Sequence, residues 1–411
     1  MNSPSHDPPL SRGRALGAAS ALGGGRLIGM LGSAAVTLLL TGKLQPAEYG
    51  ALGLAFALQS LLMTVSIAGM RSALVRELCV RPAERPLVRA SYLATAATLG
   101  WSAAAVTALV IAALPLGEDE RRLYFLMLWG HVAAILDLGP LFDAAGRQTS
   151  AAAIGVIGDL VYLAGVVTLW SNDALALPAI GFCLALRPWA VLMLQALTLP
   201  LGPAAFCGGS RREAARLLAS GGWIALGQAA SIWPLTGSVF LVRTLANPTD
   251  SGLFSLAAYI AAAYLGVAYV ISRVVQPLIA SPQWREPSYR RSMIAFYVAF
   301  VLGLGTAAVV GAVTLFQFFF PVAYRGAREP ALILIAAAAA QGLAELSIIL
   351  LIHRRAERRV FVTWLLILPP AIGAAAWFAQ SSSLVGVAAA ILGGNLVLLA
   401  AMTVGATRST D

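Results

Sequence analysis

The sequence predicts an all-α, polytopic membrane protein with about twelve transmembrane helices in two six-helix lobes. Of its 411 residues 59% are hydrophobic and only 11% are charged, with a mean hydropathy of +0.81; a soluble domain carries roughly 25% charged residues. Apolar runs long enough to cross a hydrocarbon core of about 30 Å recur along the whole chain. Uninterrupted runs of this kind belong to helices, because a barrel would show short alternating segments. Finally, "KLQPAEYGALGLAFAL", from Lys43, returns half a chain later as "TLANPTDSGLFSLAAYI", from Thr244.

Apolar windows place the spans at 18–42, 50–70, 91–114, 122–142, 152–170, 174–197, 218–242, 252–280, 292–318, 330–352, 360–379 and 384–405. Residues 1–17 are polar and Pro-rich, with no cleavage site behind a short apolar core, and read as a retained cytoplasmic tail. Of 28 basic residues, 19 fall on the side of the termini, six on the opposite side and three within spans. The terminal side includes Arg76, Arg81, Arg85 and Arg89, then Arg211, Arg212 and Arg216, then Arg354, Arg355, Arg358 and Arg359. Basic loops stay in the cytoplasm, so both ends are expected there. The net charge of +10 thus orients helices and implies no nucleic-acid partner. The longest connections, 71–90 and 198–217, are expected to be cytoplasmic loops.

The repeat divides the chain. Leu44 matches Leu245; after one extra residue Pro46, Glu48, Gly50 and Leu54 match Pro248, Asp250, Gly252 and Leu256, an offset of 202. A Pro/Gly-rich linker at 201–217, in the connection opened by "LPLGPAAFCGGSRRE", separates an N-terminal lobe (18–200) from a C-terminal lobe (218–411). Six crossings return the chain to the same side, so the copies are parallel and related by a pseudo-two-fold along the membrane normal. In each corner the proline sets the bend, the acidic residue is expected in water, and the glycine brings the next helix close to a neighbour.

Ionisable groups at membrane depth cost about 2.5–3.5 kcal/mol or more, and each needs a reason. The candidates are Arg26, Arg71, Asp137, Asp159, Arg187, Arg273 and Glu345. The offset carries Arg71 onto Arg273, both at the cytoplasmic end of the second helix of a half ("SIAGMRSALV", "AYVISRVVQPLI"), and carries Arg26 close to Gln228. Three guanidiniums in one cleft suit a multiply charged anion such as a pyrophosphate; alternatively they snorkel to lipid headgroups. Asp159 and Arg187, on consecutive antiparallel helices at similar depth, are read as a structural ion pair, with substrate or ion handling as the alternative for Asp159. Asp137 and Glu345 have no obvious partner and are either ion-coupling carboxylates or solvated cavity residues.

No Walker A motif, zinc spacing or nucleophile elbow is present. His6, His131 and His353 are isolated, and His131 reads as a packed helix residue. Cys79, Cys183 and Cys207 lack metal-ligand spacing, and no disulfide is expected. Neither metal nor cofactor is implied. "GRLIG" has weak small-xxx-small spacing. Gln59, Gln195, Gln276, Gln317, Gln341 and Asn395 could bond sugar hydroxyls or neighbouring helices. Trp101, Trp129, Trp223, Trp233, Trp364 and Trp377 could stack on sugars or anchor at the interface.

The first two spans, with "LxPxEYG" and "GMRSALVRE", and the second-half "GLFSLAAYI" and "SRVVQP", resemble Wzx-type oligosaccharide flippases. These are polysaccharide biosynthesis proteins of the multidrug/oligosaccharidyl-lipid/polysaccharide (MOP) exporter superfamily. The resemblance implies V-shaped lobes alternating between inward- and outward-open states. It also implies movement of undecaprenyl-pyrophosphate-linked oligosaccharide to the outer leaflet, for O-antigen, capsule or exopolysaccharide assembly. Arg26, Arg71 and Arg273, with Gln59 and Gln228, would face the substrate, and a polysaccharide polymerase and chain-length machinery would be partners beside membrane lipids. The C-terminus is shorter than in lipid-linked peptidoglycan flippases, which disfavours that cargo, and lysines are fewer than in many relatives.

Three other readings are weighed. A multidrug or cation exporter of the same superfamily would want acidic residues in the first lobe, which Asp137 and Asp159 supply. A membrane polymerase or ligase would need a large outside loop, and the outside loops here reach only about ten residues. A major-facilitator symporter would need an Asp-Arg-Gly-Arg-Arg signature, which "RSALVRELCVRPAERP" lacks.

Overall fold

A computed structural model describes residues 28–67, 70–81, 84–145, 147–199, 209–279, 282–354 and 356–408. The N-terminal tail, Arg26 and most of the linker, with Cys207, lie outside these residues, as do the side chains of Arg76, Cys79, Trp223, Arg273 and Arg355.

Lipid offers the backbone no hydrogen bonds, so every crossing satisfies its own as a helix. The first lobe comprises α1 (Ile28–Thr41), α2 (Pro46–Ile67), α3 (Met70–Val80), α4 (Arg85–Ala113), α5 (Glu118–Ala134), α6 (Gly139–Ala144), α7 (Gln148–Ser171) and α8 (Leu177–Thr198). The second comprises α9 (Arg211–Ile232), a π-turn (Trp233–Gly237), α10 (Ser238–Leu245), α11 (Pro248–Ile279), α12 (Pro287–Phe318), α13 (Arg328–His353), α14 (Glu357–Gln380) and α15 (Leu384–Arg408). Among the described residues ten tracks are long and apolar enough to cross a membrane. With α1 and the α9–α10 track they make the twelve crossings, and the chain is a multi-pass membrane protein.

Three boundaries differ from the expectation. Residues 71–80 form α3 rather than loop, because Leu74 and Leu78 pack into a core with Tyr92, Leu93 and Leu217. The fourth crossing breaks between α5 and α6, leaving Asp137 in the gap ahead of Pro140, where a proline fits the first turn of a new helix. The seventh crossing begins at Arg211 and carries the π-turn.

The two corners start α2 and α11 with the same chemistry. Pro46 and Pro248 occupy the first helical position. The Glu48 carboxylate accepts from the Gln45 backbone N–H at 2.8 Å; in the other copy Asp250 N–H donates to Asn247 Oδ1 at 2.8 Å and Asn247 Nδ2 to the Asp250 carboxylate at 2.7 Å. Glu48 thus caps the start of α2, whereas at α11 Asn247 is the cap and Asp250 holds its side chain in place.

The glycines bring the corners against each other. An added Cβ on Gly252 would overlap the Pro46 carbonyl, and one on Gly50 would lie 2.9 Å from the Gly252 nitrogen. Farther along, Gly53 faces Ser255 and Phe56 meets Tyr259 at 6.1 Å between ring centroids. The pairs 50/252 and 53/255 keep the offset of 202, so α2 and α11 cross along the pseudo-two-fold.

One hydrophobic core spans both lobes at this corner end, joining Leu40, Leu52 and Tyr124 to Phe254, Ala261 and Leu334. Two smaller cores lie toward the arginine-rich end. One holds Met70, Leu74, Tyr92 and Leu138; the other holds Ala344, Leu351, Trp364 and Leu398. The halves also meet at the arginine-rich end, where Leu217 of α9 packs into the first of these cores and Glu213 of α9 bonds Arg81.

Candidate functional site: the cleft between the lobes

A narrow crevice between the lobes is lined by Leu61 and Thr64 of α2, Ala229 and Ile232 of α9, Trp233, Thr236 and Gly237 of the π-turn, and Phe240 of α10. Its deep wall is apolar and aromatic. The Thr64 hydroxyl is turned back to the Ser60 carbonyl at 2.8 Å, as lipid-depth hydroxyls commonly are.

Charge lies at the arginine-rich end. Arg71, 46% exposed at the start of α3, approaches Asp137 at 3.4 Å and Asp143 at 3.5 Å. The helix break positions Asp137: its Oδ1 accepts from Gly139 N–H at 2.9 Å and Gln195 Nε2 at 2.7 Å, while Gln195 Oε1 takes the Leu138 N–H at 2.9 Å. The second carboxylate oxygen is left for the guanidinium. Gly139 lets the two groups approach closely, since a Cβ would sit 3.0 Å from both Arg71 Nη2 and Asp137 Oδ2. The buried Tyr92 hydroxyl, with no hydrogen-bond partner, senses the charges of Asp137 and Arg71. Asp137 thus has a partner, and the sequence reading missed Asp143 entirely.

The other candidates are spread through the bundle. Asp159 and Arg187 pair at 2.5 Å between α7 and α8, with Asp159 against Gly29 of α1. Gln59 is half-buried on α2 and Gln228 exposed on α9. Glu345 lies half-buried in α13, in the second lobe and away from Arg71 in the first. Several polar side chains serve packing: Asn395 Nδ2 bonds the Ala337 carbonyl at 2.9 Å, and His131 is fully buried with neither ring nitrogen bonded. Trp364 is buried in the core, whereas Trp101, Trp129 and Trp377 face outward and Trp233 lines the cleft.

Polar bridges between the lobes went unforeseen. At the corner end Arg243 of α10 donates to Glu120 of α5 at 2.7 Å, and Tyr124 donates to the same oxygen at 2.6 Å. Tyr324 reaches across to the Leu44 carbonyl at 2.9 Å. At the arginine-rich end Arg81 bonds Glu213 of α9 at 2.6 Å and also Glu84, which holds its guanidinium above the ordinary arginine value. Only charges at helix starts hinted at these links, and nothing in the sequence specified their partners.

No protein-family model matches the chain, and no curated protein matches its sequence. Solved structures do match its fold. An inward-facing multidrug resistance MATE family transporter of the MOP superfamily superposes with a TM-score of 0.68 at 14% identity, over 93% of this chain and 94% of that one. A MOP superfamily transporter from Pyrococcus furiosus, described as having a binding pocket of reverse polarity, gives 0.69 at 15% identity over 96% and 95%. The lipid II flippase MurJ, in an inward closed conformation, gives 0.69 at 11% identity over 95% and 87%. The chain has the two-lobed fold of the MATE/MOP transporters.

Proposed function

We propose that the chain is a flippase of the bacterial cytoplasmic membrane. It moves an undecaprenyl-pyrophosphate-linked oligosaccharide from the inner to the outer leaflet by alternating access, to supply surface polysaccharide assembly and its polymerase and chain-length machinery. The arginine-rich face is cytoplasmic and the corner end faces outward. The observation that carries the reading is the half-exposed Arg71 beside the smaller core of the first lobe, with an apolar and aromatic crevice between α2 and the α9–α10 track. A pyrophosphate accepts guanidinium donors bidentately, and Arg26 and Arg273 join Arg71 as its ligands. Gln59 and Gln228 serve the glycan, and the prenyl tail stays in lipid.

The test is leaflet exchange of a labelled lipid-linked oligosaccharide in proteoliposomes. Transport is expected in the wild type and lost in the Arg26→Ala/Arg273→Ala double variant. Unchanged flipping in that variant would overturn the site assignment. A cation-coupled multidrug exporter is the second reading, favoured by the two carboxylates facing Arg71. It predicts efflux of organic cations and no exchange of the lipid.

A further inference from the structure

α12 is 32 residues long, about 48 Å at 1.5 Å per residue, against a hydrocarbon core of about 30 Å. From Met293 onward it is almost wholly apolar, so its excess length falls at its start, among lipid headgroups. Three arginines stand there: Arg285 in the 3-10 turn Pro282–Arg285 ahead of the helix, then Arg290 and Arg291 in its first turns. All three are exposed. Among the described residues none of them forms an ion pair or a side-chain hydrogen bond. Glu286, the one acid between them, accepts from the Ser288 hydroxyl at 2.6 Å. The turn itself is held in place, since Trp284 packs against the main core. Arg291 also continues the outward stripe of α12 through Ala295 and Leu302, both exposed within the apolar span and therefore facing lipid.

The matching turn of the first lobe disposes of its charge differently. α4 and α12 both begin after a glutamate, Glu84 and Glu286, which keep the offset of 202. In the first copy the cations are committed within the protein: Arg81 bonds Glu84 and Glu213 of α9, and Arg85 Nε donates to the Leu78 carbonyl at 2.9 Å. In the second copy the three guanidiniums are left facing outward at a helix start, where the helix dipole makes further positive charge unfavourable without a counter-ion. We propose that Arg285, Arg290 and Arg291 bind the phosphate headgroup of an anionic phospholipid of the cytoplasmic leaflet. Guanidiniums match phosphate oxygens bidentately, and clustered basic residues beside a membrane span attract anionic lipid. The acyl chains then run along the exposed face of α12, past Phe296 and Leu302.

Charge and surface together select this occupant. Residues 1–17 carry Arg12 and Arg14 against Asp7 alone, so the protein's own tail shares the sign of the patch. A soluble phosphate would leave the apolar stripe below Arg291 unused. Bound lipid ties the second lobe to the headgroup plane at the turn before α12, where the first lobe is tied to α9 instead. The inference rests on the cytoplasmic placement of the arginine-rich face and not on the identity of the cargo.

The test places the full chain in phosphatidylcholine nanodiscs containing a minor share of phosphatidylglycerol with a photoreactive group near its phosphate. Adducts are located by peptide mass spectrometry. Labelling of the wild type is expected within residues 283–296. It should fall by more than about five-fold at low salt in Arg285→Gln/Arg290→Gln/Arg291→Gln, about the factor that one basic residue near the surface is worth. The three side chains are exposed, so the variant removes no buried contact. Arg211→Gln/Arg212→Gln, at exposed positions on the start of α9, should keep the wild-type labelling of 283–296. Unchanged labelling in the triple variant overturns the site, and an equal loss in the α9 variant reduces it to general surface charge. Displacement by millimolar inorganic phosphate would make it a soluble-anion site, and loss on removing residues 1–17 would assign the lipid to the tail; either overturns the proposal. Failure of lipid-linked oligosaccharide exchange in proteoliposomes would leave these results standing.

Discussion

Gly252 lies flat against the Pro46 carbonyl, so the starts of α2 and α11 touch through backbone where the two halves of the chain meet. Any side chain at 252 must push the corners apart. Gly252→Ala is expected to destabilise the closed corner by about 1–3 kcal/mol, the usual cost of overpacking a tight contact. The population should shift toward a state open at that end. Electron–electron distance measurements between labels on the two corners would show it, and an unchanged distribution in a folded Gly252→Ala protein would contradict the contact's role as the closure.

Arg71 shares its guanidinium with Asp137 and Asp143, at 3.4 and 3.5 Å, and their negative charge opposes an incoming anion. Removing one competitor therefore tightens anion binding. Asp143→Asn is expected to raise affinity for inorganic pyrophosphate by up to about five-fold, since half-exposed pairs are worth roughly 0.2–1 kcal/mol. Arg71→Ala should abolish the gain, and calorimetric titration of the single and double variants would measure it. Equal affinities in wild type and Asp143→Asn would remove Arg71 from the anion site.

Much of the architecture was legible because it rests on length and periodicity. Apolar runs set the crossings, and Pro46, Gly50 and their copies at 248 and 252 set a register that the packing of α2 on α11 retains. Departures from helical monotony were not legible. The gap holding Asp137 and the π-turn at 233–237 depend on what neighbouring helices offer to freed backbone groups, as Gln195 does for the Leu138 N–H. Partner choice was equally hidden. Asp159 and Arg187 sit at comparable depth on adjacent helices and meet, but Asp137 is six residues from Asp143 across a helix break, and the two converge on Arg71 only after folding. The Arg26 and Arg273 side chains lie outside the described residues, so the cationic trio remains a proposal.

Glu120 and Arg243, 15% and 18% exposed, join the lobes at the corner end. Arg243→Met keeps the apolar stem and removes the charge, leaving Glu120 with Tyr124 alone. Losing a partner for a largely buried group costs roughly 1–3 kcal/mol. The expected result is faster hydrogen exchange at the buried amides of Tyr49 to Leu52 and Gly252 to Leu256, with exchange in α14 unchanged. Uniform acceleration across the bundle would instead indicate general destabilisation rather than a loosened latch.

Lys43, in the first corner, bonds Asp173 of the α7–α8 turn at 2.6 Å and holds that carboxyl below its ordinary value. A lowered folded-state pKa means the pair stabilises the fold at pH values above the unfolded aspartate value. That contribution fades as pH falls through the lowered folded value. Asp173 is 80% exposed, so solvent and salt screen most of the effect. Its backbone is left-handed, at φ 52°, a conformation asparagine also tolerates; Asp173→Asn thus removes the charge without straining the turn. Wild type should melt slightly above Asp173→Asn at neutral pH and low salt. The two melting curves are expected to converge in acid and in molar salt, and a gap that persists in acid would show that the turn, not the ion pair, sets the difference.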